Sequence, residues 1–286
     1  MKRGTILSKV RNTRNVWLSV LTFLVVGWAG SAAYALDPMG PPTAGLKQGQ
    51  FQVGADYSYS ITDLKLREGS WIEYLDGWFY DSGKAESFTL KDFKTNKVYA
   101  SLGYGIADNW EAFLRLGGAD ATFGDSIWED AEKFDSPADF AIGFGVKATF
   151  YEEDNLKIGG LFQASWVAFN GKLQAAHWTA ADSVQIDITE IQIAVGPTYK
   201  LLEGVSIYGG PFFHFVDGDL DDVYSVIDED TGGLLTSKYS WAIRESSIFG
   251  GYIGVQFDVT ENTSFNIGYQ HTAKADALSM SLVWRF

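Results

Sequence analysis

The chain has no cysteine, and only 6 of its 286 residues are proline. Without thiols there can be no disulfide framework, no thiolate metal site and no cysteine to carry a lipid anchor. Basic residues are scarce too. The 22 Lys and Arg stand against 36 Asp and Glu, a formal charge of −14, which argues against nucleic-acid binding. After residue 35 no stretch of helix-spanning length is apolar throughout, so no transmembrane helix is expected there. Glycine (31 residues) and aromatic side chains (15%) are abundant instead, and so many large packing groups exclude an acidic disordered chain.

The basic residues Lys2, Arg3, Lys9, Arg11 and Arg14 precede a largely apolar run from Val16 to Gly30, followed by Ser31-Ala32-Ala33-Tyr34-Ala35. A basic start, an apolar core and small residues at a cleavage position predict a secretory signal peptide over 1–35. The run is short for a helix that must span a bilayer with about 20 residues. Residues 36–49, with Pro38, Pro41 and Pro42, read as an N-terminal lead-in on the periplasmic side, and 50–286 as one domain.

From Phe51 onward apolar and polar residues alternate. Phe51, Val53, Ala55, Tyr57 and Tyr59 interleave with Gln52, Gly54, Asp56, Ser58 and Ser60, and similar runs recur from Val98, Trp110, Phe140 and onward to Phe286. A period of two means strands with one apolar face. Ten such runs are predicted, each of about the 10 residues that a tilted strand needs to cross a bilayer. Their connections alternate in length. Tight turns are expected at Asp108-Asn109, Asp154-Asn155, Glu203-Gly204 and Glu261-Asn262, and long loops near 62–96, 119–138, 170–185 and 217–246. Four residues before each turn acid stands an aromatic, Tyr104, Phe150, Tyr199 or Phe257, which predicts an aromatic girdle at the short-turn side. The fold class expected is all-β, an up-and-down antiparallel transmembrane β-barrel of about 10 strands, with 8 or 12 as alternatives. A β-sandwich would need neither the girdle nor the alternating loop lengths.

The last strand carries Met280, Leu282, Trp284 and Phe286 at alternate positions and ends on that Phe. In this it resembles bacterial outer-membrane β-barrel proteins, whose terminal strand is the recognition signal for the barrel assembly machinery. The resemblance implies an outer-membrane location, contact with outer-membrane lipid and lipopolysaccharide, and the assembly machinery as a partner during biogenesis. It leaves the oligomeric state open.

If the apolar face meets lipid, the lumen receives Asp56, Glu111, Arg115, Lys147, Lys157, Glu190, Asp258 and Arg285, together with Gln192, Gln256, His214 and many glycines. Opposite charges could pair across a narrow lumen and close it, or the glycines could leave a water-filled path. The first reading is therefore a non-enzymatic structural or surface-interaction component of the envelope, with no cofactor. Its aromatic loop residues, Trp71, Tyr74, Trp78, Phe79, Tyr80, Trp128 and Trp178, could grip a partner or pack the loops together. The alternative is a narrow, porin-like diffusion channel. The resemblance also admits an outer-membrane protease or a lipid A-modifying enzyme, for which His214 near Asp217 and Asp219 is a better base candidate than His177 or His271. Asp217, Asp219 and Asp221 fit part of a calcium-loop pattern over 217–228, but Asp222 stands where that loop needs glycine, and a solvated acidic loop is the simpler expectation.

Overall fold

The computed structural model describes residues 36–124, 133–174, 182–228, 230–245 and 247–286. The predicted signal peptide lies outside the described residues, as do Trp128, His177 and Trp178. Twelve strands follow in order: β1 (Phe51–Leu75), β2 (Trp78–Lys84), β3 (Phe88–Ala107), β4 (Trp110–Gly124), β5 (Lys133–Glu153), β6 (Leu156–Gln174), β7 (Asp182–Leu202), β8 (Val205–Ile227), β9 (Leu234–Glu245), β10 (Phe249–Asp258), β11 (Thr263–Thr272) and β12 (Ala275–Arg285). Every pairing between them is antiparallel.

The strands close on themselves at two levels. At the tight-turn end, β1, β3, β4, β5, β6, β7, β8, β10, β11 and β12 form a ring that is sealed by pairs from Gln52↔Arg285 to Thr62↔Ala275. Further along, β10 to β12 have ended and β9 alone bridges the gap. It pairs with β8 from Asp217↔Arg244 to Ile227↔Leu234 and with β1 from Leu64↔Glu245 to Leu75↔Leu235. The ten-stranded ring thus narrows to eight strands. β2 pairs with β1 alone among the described strands.

The two levels have opposite chemistry, on an alternation that β1 keeps and that β3 shifts by one residue at Lys91-Asp92, where its register with β1 changes. At the turn end Asp56, Ser58 and Ser60 point inward from β1, while Phe51 and Val53 lie exposed outside. Beyond Thr62 the inward positions become Leu64 and Leu66, and Asp63, Lys65 and Arg67 take the outside. β3 switches in the same way, from inward Lys97 to inward Phe93 and Leu90. Phe93, Phe123, Phe134, Phe169, Ile186, Trp241 and Ile243 fill the eight-stranded section as one core, with Phe123 stacked on Phe134 at 4.7 Å and Phe169 edge-on to Phe93 at 5.7 Å. Each such burial is worth about 1.5–3 kcal/mol.

This inversion corrects the expected long loops. The described residues of the stretches near 62–96, 119–138, 170–185 and 217–246 are mostly strand, because polar residues on alternate positions there mark a solvated outer face and not a departure from strand geometry. The expected lead-in at 36–49 is corrected as well. Leu36, Asp37, Met39, Thr43, Ala44 and Leu46 are buried, and the segment runs inside the ring, bonded to its wall. Its prolines suit an irregular path, since an extended segment lacking N–H groups leaves fewer donors to satisfy in a closed interior.

Candidate functional site

The interior of the ten-stranded section is where polar and charged side chains converge, because every second residue of ten strands points there. Lys97 of β3, 0% exposed, donates to Glu190 of β7 at 2.6 Å and to Asp37 of the inner segment at 2.9 Å. Tyr99 also donates to Asp37, at 3.3 Å. Arg115 of β4 pairs with Asp56 of β1 at 3.0 Å and donates to Gln163 of β6 at 3.1 Å. Gln163 bonds Gln192 of β7, which reaches Gln270 of β11 at 3.2 Å, and Gln270 donates to the Asp37 carbonyl at 2.8 Å. The chain of bonds therefore crosses the ring from wall to wall through the inner segment. In so dry a space an ion pair must be fully hydrogen-bonded to offset its desolvation, and Lys97 has two carboxylates within reach to do so.

Nearer the turn end, Lys147 pairs with Glu111 at 3.4 Å, and Glu111 accepts the Gly45 N–H at 2.7 Å. Thr149 accepts the Ala44 N–H at 3.0 Å, and Thr43 and Thr198 share a bond of 2.9 Å. Gly49 and Gln50 form two backbone bonds of 2.9 Å with Gly105. At Gly105 only glycine fits, since a Cβ would lie 2.0 Å from the Lys47 carbonyl oxygen. A cavity of about 310 Å³ remains between the inner segment and the wall.

Asp56, Glu111, Arg115, Lys147, Glu190 and Arg285 all face this interior, and the first five are tied together in the pairs above. Lys157 and Asp258 sit at its mouth, Lys157 bonded to Glu152 at 2.8 Å and Asp258 to Gln256 at 2.9 Å. Tyr104, Phe150 and Tyr199 are exposed on the outer wall, with Tyr104 tilted against Phe51 at 4.8 Å, while Phe257 is half-buried beside its strand partners Phe265 and Val205. Met280, Leu282, Trp284 and Phe286 are likewise exposed on the outer wall, Phe286 stacked on Phe51 at 6.1 Å.

His214 is not brought to Asp217 and Asp219. It points inward on β8, buried, with Nε2 3.4 Å from Glu190, whereas those aspartates take the odd, outward positions and Asp217 pairs with Arg244. His271 is exposed on the outer wall, bonded to Asp276. The calcium-loop pattern is corrected: residues 217–227 belong to β8, which sends Asp217, Asp219 and Asp221 outward and Asp222 inward. No group of three or more metal-ligating side chains occurs among the described residues. The sequence reading missed Lys97, Asp37, Gln163 and Gln270. Extending the β3 alternation one step before Val98 would have found Lys97. Nothing in the irregular segment marks Asp37.

No protein-family model matches the chain, and no curated protein matches it. The solved structures it is similar to are bacterial outer-membrane β-barrel proteins. They include the outer membrane protease OmpT from Escherichia coli, at 11% identity over 82% of this chain and 97% of that one, with a TM-score of 0.42. The outer membrane protein OprG from Pseudomonas aeruginosa gives 11%, 85%, 98% and 0.41 in the same order. The translocator domain of the autotransporter NalP from Neisseria meningitidis gives 11%, 98%, 98% and 0.40. At that level of similarity none of them bears on any residue of the interior.

Proposed function

We propose that the chain is an integral β-barrel protein of a bacterial outer membrane, sealed against diffusion and non-enzymatic, which serves as a structural or surface-interaction component of the envelope. Residues 1–35 direct its export and are removed. The ten-stranded section spans the lipid and the eight-stranded section stands outside it. The last strand, with Met280, Leu282, Trp284 and Phe286, is the segment offered to the barrel assembly machinery, and outer-membrane lipid and lipopolysaccharide surround the wall.

The exterior supports the location. Val98, Leu102, Leu114, Leu116, Phe140, Phe144, Phe162, Trp166, Ile193, Val195, Phe213 and Ile253 are all exposed, a continuous apolar surface far beyond the few hundred Å² that a soluble monomer tolerates. About ten residues at roughly 3.3 Å each, tilted, match an apolar band about 25 Å tall.

The observation that carries the sealed reading is the pair of stacked closures: the inner segment with its Lys97, Arg115 and glutamine bonds, and above it the aromatic core of the narrower section. Free diffusion would need both to open. The burial of His214, turned away from Asp217 and Asp219, supports a non-enzymatic role. Surface interaction is supported by the β1–β2 tip, where Trp78, Phe79 and Tyr80 are 81%, 66% and 61% exposed. The test is conductance across planar bilayers. Silence is expected, and discrete single-channel steps from the intact chain would overturn the reading.

A further inference from the structure

We infer that the cavity between the inner segment and the β11–β12 wall is a binding site for a small oxyanion, a carboxylate or phosphate, anchored by Arg285. The inference needs only the interior geometry, so it stands apart from the proposed envelope role.

Among the described residues, three of the four cations that face this interior most directly are paired with acids, and half-buried Arg285 is not. Lys97, Arg115 and Lys147 each have a carboxylate at 2.6–3.4 Å. Arg285 has none within 4 Å among the described residues. Its Nη2 donates to Ser264 at 3.0 Å, and its Nε is buried without a partner. Of the acids that line the cavity, Glu111 is held by Lys147 and the Gly45 N–H, Asp56 by Arg115 and Asp258 by Gln256, while Asp154 lies at the exposed margin. A guanidinium left in this state lacks both a counter-charge and one hydrogen bond, and a carboxylate or phosphate oxygen supplies the two together.

A second unsatisfied group stands on the same wall. Asn266 is 5% exposed; its Nδ2 donates to Ser281 at 3.1 Å, while its Oδ1, an acceptor, has no partner and so suits the P–OH of a protonated phosphate, not an anionic oxygen. Ser264, Asn266, Ser281 and Arg285 occupy neighbouring inward positions of β11 and β12 and line the one cavity. Its volume, about 310 Å³, reaches the lower end of the range for ligand pockets. The residues at its margin, Asp154, Asn155, Lys200 and Asp258, belong to the tight-turn end, so a solute enters from that side without passing either closure. On the inner segment Gly45 faces the site without a side chain. A Cβ there would stand 3.8 Å from Arg285 Nη2 and 3.7 Å from Glu111 Oε2.

Isothermal titration of the chain folded in detergent micelles tests the assignment with three probes: inorganic phosphate, acetate and glycerol. Saturable heat is expected with phosphate, with acetate or with both, and none with the neutral glycerol. Arg285→Gln should weaken anion binding about tenfold or more, while Lys172→Gln, exposed on the outer face of β6 and away from the cavity, should leave it unchanged. Should Arg285→Gln fail to fold, Gly45→Leu on the inner segment fills the space before the guanidinium, leaves the ring intact and is expected to abolish the heat. Absence of saturable heat with both anions would overturn the inference. So would binding of unaltered strength in Gly45→Leu or in a folded Arg285→Gln.

Discussion

The ammonium of Lys97 on β3 meets the carboxylate of Glu190 on β7 at 2.6 Å, joining two strands that stand four places apart in a ring of ten. One pair of side chains thus spans the interior, and the third partner, Asp37, draws the inner segment into the same contact.

Removing the cation at this point should be costly. Lys97→Met leaves Asp37 and Glu190 buried without their counter-charge, and a loss of about 3–5 kcal/mol is expected. The double variant Lys97→Met with Glu190→Gln should recover part of it. Urea unfolding of the detergent-folded protein, followed by tryptophan fluorescence, measures both. Equal stability of wild type and Lys97→Met would show that the triad contributes nothing.

The two closures predict an asymmetric response to deletion. A chain lacking residues 36–46 should remain electrically silent, because Phe93, Phe123, Phe134 and Phe169 still fill the narrower section. Steps should appear only when Phe93→Ala and Phe169→Ala are added to that deletion. Conductance from the deletion alone would mean that the aromatic core does not seal.

The same core sets a stability expectation. Phe134 is fully buried and stacked on Phe123, so Phe134→Ala should cost about 3–5 kcal/mol. Chemical denaturation reads it, and a cost below about 1 kcal/mol would indicate that the section collapses freely around the gap.

Gly105→Ala should loosen the inner segment from the ring, since the added Cβ would stand 2.0 Å from the Lys47 carbonyl oxygen. Faster tryptic cleavage after Lys47 is expected, with the strand content by circular dichroism unaltered. Wild-type cleavage kinetics would count against the contact.

At the β8–β9 tip, Asp228 accepts from the Thr231 hydroxyl at 2.7 Å and from its N–H at 2.8 Å, and these bonds hold its carboxyl below the ordinary value of 3.8. A depressed acid stabilises the turn fully above that ordinary value, and the contribution is lost as pH falls through the lowered one. The Thr231 amide resonance should therefore hold steady down to that region and shift below it. A shift beginning well above 3.8 would contradict the bonded carboxyl.

The strand layout of the ten-stranded section was readable from the sequence because its greasy residues face outward on a strict period of two. The eight-stranded section was not, although Leu64 and Leu66 keep the parity of Asp56 and Ser58. An outer face of Asp63, Lys65 and Arg67 has the composition of a loop, and only knowledge of what surrounds each level tells solvated strand from turn. The interior charges on strands followed from parity alone. Their pairing did not: Lys97 with Glu190 depends on which strands oppose one another in the closed ring, and Asp37 belongs to a segment with no periodicity to place it.

The level at which the wall exchanges greasy for ionic side chains acts as a waterline. Sinking the molecule by one residue pair, roughly 3.3 Å along a strand, would carry Asp63 and Lys94 toward hydrocarbon, while lifting it would bare Tyr59 and Val98. Charged groups on a lipid-facing wall cost up to about 2–4 kcal/mol each at depth. The proposed envelope protein therefore sets its own height in the membrane, and the projection of Trp78, Phe79 and Tyr80 above the lipid is fixed by residues more than ten positions away from them.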